Sequence, residues 1–324
     1  MSAKIDGSNG ISYPDGTTQV TANIGALRNL IINGDMRVAQ RGVSAALTAA
    51  AAYPSLDRWV ANQATSANGI LAQVAAGLIG FQYAAKLGRN SGATQIGAIW
   101  LSQSLESINS IPLQGQTVTL SFYAKAGANF SAASSTISAN IYTGTGTDQT
   151  ALNPGGWTNA GNIGNNAVLT TSWQRFTFTT TLSSAITQLG IGFGWAPTGT
   201  AGADDNVYIT GVQLERGQTA SLFEVLPAQT QIAQCQRYYT ATGYNATLPS
   251  AGVGAVSYAS IGLPVNLRTY TPICTESGVG SSNVSSVNYV ISGGYNNFQA
   301  QLTSSVAAGN ILTRSATLGI NAEL

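Results

Sequence analysis

The chain contains no histidine. That absence removes Ser-His-Asp and Cys-His nucleophilic schemes together with His-ligated transition-metal sites. Charged residues make up only 8% of the 324 positions, against about 25% in ordinary soluble domains, so Ser, Thr, Asn, Gln and Gly must carry most of the hydration. The 13 basic and 12 acidic side chains nearly cancel, leaving a net charge of +1. Scattered in this way they give no electrostatic footprint for a phosphate backbone or an anionic membrane, so nucleic acid is not an expected partner. No uninterrupted apolar run approaches the roughly 18 residues that span a bilayer, which argues against membrane insertion. The N-terminus lacks the basic start and apolar core of a secretory signal, so the chain is expected to fold in the cytoplasm where it is made. Two cysteines, Cys235 and Cys274, cannot form a disulfide framework, and each is expected to be a buried structural thiol. No cofactor and no metal site is expected.

What remains is β patterning. The length allows two modest domains at about 100 to 200 residues each. Residues 1–26 are rich in Gly, Ser, Thr and Asn, carry the turns Asp6-Gly7, Asn9-Gly10 and Pro14-Asp15-Gly16, and hold too little apolar material for a core. They read as an arm whose extended pieces, around Ile5, Ile11, Tyr13 and Val20, order only against neighbouring chains. From residue 27 to about 227, short alternating runs between turn clusters predict an all-β sandwich or barrel. Val118, Leu120, Phe122 and Ala124 share one strand face, Phe176, Phe178 and Leu182 another, and residues 207–214 form a further strand. Leu189, Ile191, Phe193 and Trp195 alternate with Gly190, Gly192 and Gly194, so either something approaches that glycine face closely or the strand is flexible there. Residues 144–166 read as a long loop of Gly, Asn and Thr carrying an isolated Trp157.

From 228 to 324 the pattern predicts a short linker helix and a smaller C-terminal β domain. Ile232, Cys235, Gln236 and Tyr239 follow helix spacing. Val287, Tyr289 and Ile291, a Gly293-Gly294 turn, then Phe298, Ala300 and Leu302 describe a hairpin.

The run from Asn29 to Gly42, NLIINGDMRVAQRG, with Leu56-Asp57-Arg58-Trp59 after it, resembles the opening of a widespread bacteriophage tail-fibre module. Later segments look like further landmarks of that family in the same order: 211–217 (GVQLERG), Phe223-Glu224, 235–239 (CQRYY) and 264–268 (PVNLR). Tyr13 to Gln19 resembles a linking element of phage fibres. The resemblance implies a jelly roll like the carbohydrate-binding modules of polysaccharide enzymes, followed by a fibre tip, in a virion protein that recognises a host-surface polysaccharide. It also implies a homotrimer, and an N-terminal arm that meets other tail or baseplate proteins. The chain's three lysines are few to guard its many strand edges, which agrees with edges covered by neighbouring subunits. Similar modules hold a structural calcium, and here the corresponding places carry Arg37 and Thr210, which cannot replace two carboxylates around a hard ion; Asp35, Asp204 and Asp205 are the acids that would rebuild such a site.

Candidate glycan contacts fall in two places. One is the long loop, with Trp157, Asn159 and Asn162, where Trp157 reads equally as an exposed binding aromatic, an inter-subunit plug or a loop anchor. The other is the tip, with Tyr295, Asn296, Asn297 and Phe298, although Phe298 shares phase with Ala300 and Leu302. Trp195 is a weaker candidate whose parity favours burial, and Trp59 and Trp173 read as core. Asp204-Asp205 is the only adjacent acidic pair and sits in a turn, so no catalytic residue is assigned. A structural fibre or collar segment is the alternative function, and a surface-polysaccharide depolymerase a third.

Overall fold

A computed structural model describes residues 4–6, 10–12, 18–19, 27–64, 69–150, 154–269, 272–291 and 297–323. The chain is all-β; among the described residues there are two short α-helices, α1 (Ser107–Ser110) and α2 (Ala228–Gln236). Near the N-terminus, β1 (Lys4–Asp6), β2 (Gly10–Ser12) and β3 (Thr18–Gln19) pair antiparallel in one small sheet. The extended pieces of the arm therefore find backbone partners within their own chain, contrary to the expectation that only neighbours order them.

The next eleven strands are β4 (Ser44–Ala46), β5 (Val60–Gln63), β6 (Gly69–Leu78), β7 (Phe81–Arg89), β8 (Ile99–Ser104), β9 (Thr117–Ala126), β10 (Thr136–Gly144), β11 (Gly161–Val168), β12 (Gln174–Thr181), β13 (Gln188–Trp195) and β14 (Asp205–Arg216). They build a sandwich of a five-stranded sheet, β11-β10-β13-β8-β5, and a six-stranded sheet, β12-β9-β14-β7-β6-β4. Alternation places one face of each strand in the shared core. Phe122 and Phe193 meet edge to face at its centre with ring centroids 4.7 Å apart, and Trp59 is fully buried beside them. Trp195 is also buried, its ring tilted against Phe130 with centroids 4.6 Å apart. Trp173 is half-buried instead of core: its indole N–H donates to the Ala76 carbonyl, and Lys125 lies over its ring. The stretch expected to be one long loop contains β11, which pairs with β10 over eight positions. Asn and Gly have low strand propensity, and cross-strand hydrogen bonding to β10 overrides it.

Helix α2 (Ala228–Gln236) links to a smaller β unit. Its buried residues are Gln231 and Cys235, with Tyr238 just beyond, whereas Ile232 is 40% exposed. Of the residues expected on the helix face, Cys235 turns inward, Ile232 faces out and Tyr239 lies beyond the helix, and the inward place before Cys235 goes to Gln231, which donates into Asp35 of the sandwich. Cys235 is buried and Cys274 half-buried. The C-terminal unit has two three-stranded sheets. The first joins β15 (Tyr239–Pro249), β20 (Ile311–Asn321) and β17 (Ile273–Ser282); the second joins β16 (Val256–Gly262), β19 (Asn297–Ser304) and β18 (Val284–Ile291). Strands β18 and β19 form the expected antiparallel hairpin, and the Gly293-Gly294 turn lies outside the described residues. Phe298, Ala300, Leu302, Leu318 and Ile320 fill the second core.

The two units are tied by buried and half-buried polar contacts. Arg58 pairs with Glu323, Arg41 reaches the same carboxylate at 3.2 Å, and Arg237 holds Glu106 through two hydrogen bonds of 2.9 and 3.0 Å. The Arg58 guanidinium lies 3.6 Å from the Tyr238 ring centroid.

Candidate functional site

The outer face of the five-stranded sheet gathers aromatic, amide and hydroxyl groups. In β8, Ile99, Leu101 and Gln103 turn inward, so the strand's 180° alternation sends Trp100, Ser102 and Ser104 outward. Directly paired residues share a face, which adds Val60 and Asn62 from β5, and Ser138, Asn140 and Tyr142 from β10. Asn162 and Asn166 join from β11.

The central strand of this face is β13, and after Gln188 its outward positions are Gly190, Gly192 and Gly194. A Cβ at residue 194 would stand 2.3 Å from the Trp100 ring, and one at residue 192 would stand 2.7 Å from the Tyr142 ring. The two aromatic side chains therefore lean in from either side and lie across the glycine track. The glycines are there because rings approach, which answers the question left open by the sequence.

Around these rings lies a cleft of about 420 Å³. Its floor is Val60, Asn62, Trp100, Ser102 and Tyr142, and its walls are Ala49 and Ala51 on one side and Pro154 and Gly155 on the other. Asn140 donates to the Tyr142 hydroxyl at 3.2 Å, leaving that O–H free to donate outward. Burial pushes the Tyr142 hydroxyl up from its ordinary value, only partly opposed by the Asn140 hydrogen bond, so it remains a neutral donor at physiological pH. Asn62 donates weakly to the Ala49 carbonyl at 3.3 Å, which steadies one wall.

The expected contact residues take different places. Trp157 is 4% exposed and is a loop anchor, not an exposed platform. Its indole N–H donates to the Thr150 carbonyl at 2.9 Å, and its ring covers Gly144 and Gly190. An indole packed against two glycines loses far more water contact than a solvated one, which is why the ring turns in. It thereby fixes the loop that supplies Pro154 and Gly155. Asn159 is exposed and donates to Thr145 Oγ1 at 2.8 Å; Asn162 is exposed on the outer face at the β11 edge. Trp195 points into the core, as its parity with Leu189 and Ile191 requires. Phe298 is buried as well, stacked 5.8 Å from Tyr289, and offers no surface. Tyr295 and Asn296 lie outside the described residues, and Asn297 opens β19.

Trp100 and Tyr142 were missed by sequence reasoning. The signal was present in the strict alternation of Ile99-Trp100-Leu101-Ser102-Gln103, in which the tryptophan takes the polar phase. The acidic residues of interest are engaged elsewhere. Asp205 is fully buried against Arg89, with a 2.6 Å ion pair, and accepts the Ser131 amide at 2.8 Å. Asp204 accepts from Asn206 and the Tyr208 hydroxyl; burial opposes its ionisation, but these hydrogen bonds hold its carboxyl below the usual range. Asp35 is paired with Arg37, and Thr210 donates to the Tyr83 carbonyl at 2.7 Å.

No family model matches the chain, and no curated protein matches it. Among solved structures it is similar to the enzymatically active domain of tailspike protein 4 of bacteriophage CBA120, at 15% identity and a TM-score of 0.39, over 63% of this chain. The chain spans only 24% of the length of that tailspike chain. It is similar to the TmCBM61 module solved with beta-1,4-galactotriose, at 12% identity and a TM-score of 0.36, covering 59% of this chain and 99% of that one. It is likewise similar to the CBM22-1 xylan-binding domain of Paenibacillus barcinonensis Xyn10C, at 13% identity and a TM-score of 0.32, covering 50% and 87%. At these TM-scores the likenesses carry no weight on function.

Proposed function

We propose that this chain is a receptor-binding subunit of a bacteriophage tail fibre that recognises a host-surface glycan without cleaving it. The observation that carries the reading is the pair of aromatic rings, Trp100 and Tyr142, laid over the glycine track of β13 among Asn62, Ser102 and Asn140. Sugars present apolar C–H faces ringed by hydroxyls, and such a surface meets both needs: flat rings for the faces and neutral donors and acceptors for the rim. The phage assignment rests on the ordered sequence landmarks from Asn29 to Arg268. A homotrimer in the virion, attached to the tail or baseplate through residues 1–26, belongs to the same proposal. Catalysis is left out because Asp204 and Asp205, the adjacent carboxylates, are committed to Arg89, Ser131, Asn206 and Tyr208.

The test is adsorption of the purified full-length protein to a panel of bacterial strains. The protein is expected to bind susceptible cells, to be displaced by polysaccharide extracted from them and to release no reducing ends. Failure to adsorb to any strain, or steady production of reducing ends, overturns the proposal.

A further inference from the structure

We infer that the groove is selective for an uncharged, linear glycan and reads at least two consecutive sugar units of it. This rests on the outer face of the five-stranded sheet being a glycan site, and it adds the chemical class of the ligand.

The outward residues of all five strands include no Asp, Glu, Lys or Arg. Low overall charge alone does not explain this, because the outer face of the opposite sheet carries Lys86, Lys125 and Arg175. The two faces of one sandwich thus differ: cations stand on the six-stranded side and none on the side with the cleft. A carboxylate, sulfate or phosphate on a bound sugar would be desolvated against the Trp100 and Tyr142 rings with no counter-cation to pair with. Neutral hydroxyls meet Asn62, Ser102, Asn140 and the Tyr142 O–H without that cost.

The length requirement comes from the glycine track. Trp100 lies over Gly194 and Tyr142 over Gly192. Two residues along one strand advance about 6.6 Å, so the rings form two neighbouring platforms along a line and not one. A single sugar ring covers one platform and leaves the other bare. The cleft walls, Ala49 and Ala51 opposite Pro154 and Gly155, carry no charge either.

Titration calorimetry on the full-length protein separates the possibilities. The probes are a neutral oligosaccharide series from the monosaccharide upward, and the matching uronate-containing series before and after chemical reduction of its carboxyl groups. Neutral and carboxyl-reduced chains are expected to bind roughly tenfold or more tightly than the acidic ones, a gap of about 1.4 kcal/mol. Affinity is expected to rise sharply from one unit to two or three, and to change little with added salt. Equal or tighter binding of the acidic series, sensitive to salt and lost in Trp100→Ala, would overturn neutrality while leaving the groove intact as the site. Binding unaffected by Trp100→Ala would show that the groove is not the site at all. Full affinity for a monosaccharide would overturn the two-platform arrangement.

Discussion

Gly192 and Gly194 have no side chains, and the shape of the groove depends on that. Replacing Gly194 with Ala puts a methyl 2.3 Å from the Trp100 ring, so the ring must swing off the strand. Gly194→Ala is therefore expected to lower glycan affinity about as much as Trp100→Ala, roughly tenfold if the lost stacking contribution is about 1.4 kcal/mol. Equilibrium binding of both variants checks this, and an unchanged Gly194→Ala would mean that the ring's position does not matter. Trp157 behaves differently. It is buried, so Trp157→Ala is expected to destabilise by about 3 to 5 kcal/mol, against about 1 kcal/mol or less for the solvent-facing Trp100→Ala. Denaturant unfolding of the two variants side by side distinguishes the loop anchor from the binding platform.

Between these tryptophans lies much of what was legible in the sequence. Parity pointed to burial for Trp195 and Phe298, which nevertheless stood among the glycan-contact candidates and prove buried, and it left the glycine strand open between close approach and flexibility. Parity could not say which rings approached, because Trp100 and Tyr142 reach Gly194 and Gly192 across sequence separations of 94 and 50 residues. Trp157 was beyond pattern for a related reason: its partners, Thr150, Gly144 and Gly190, form no periodic series with it.

At the scale of elements, the segments that resemble the fibre family prove to be scaffold. Asn33 binds the carbonyls of Val38 and Asp57 and accepts the Trp59 indole N–H through its own carbonyl. Arg58 and Glu323, and Arg237, Tyr238 and Glu106, join the sandwich to the residues just after α2 and just after the last strand. Short motifs survive as recognisable text where many buried partners must be satisfied at once, whereas a binding face of single outward residues leaves little local trace. The helix illustrates the limit. Its spacing was readable, but the polar Gln231 was not identifiable as the inward residue until Asp35 came into view.

This joint also titrates. Burial would raise the Glu106 carboxyl, but hydrogen bonds from Arg237 and Tyr238 outweigh it and hold the group below its ordinary 4.5. A carboxylate depressed by folding stabilises fully above the unfolded value and loses that contribution as pH falls through the folded one. Thermal unfolding followed from neutral pH down through 4.5 is therefore expected to show a shallower acid limb for Glu106→Gln than for the parent. Identical acid limbs would show that the joint contributes nothing to the pH dependence.

At the scale of the whole molecule, a groove with two platforms and no charge makes a weak single site. Millimolar affinity corresponds to about 4 kcal/mol, too little to hold a particle on a cell, but several subunits engaging together add effective concentration without new contacts. The proposed trimer supplies that multiplicity. Ile273, Ile311 and Tyr258 on the C-terminal unit are each more than half exposed, at 69%, 56% and 53%, apolar surface that subunit contacts would remove from water. Light scattering of the full-length protein at micromolar concentration is expected to give three times the 33.2 kDa chain mass; a stable monomer would contradict it.

The measurement that bears most directly on the account is glycan binding by the parent and by Trp100→Ala, with circular dichroism and mass confirming that both have the same fold and assembly. The parent is expected to be retained on an affinity gel carrying neutral polysaccharide, and Trp100→Ala, equally folded, to run through it. Equal retention of the two proteins would contradict it, because the ring laid across Gly194 would then play no part in recognition.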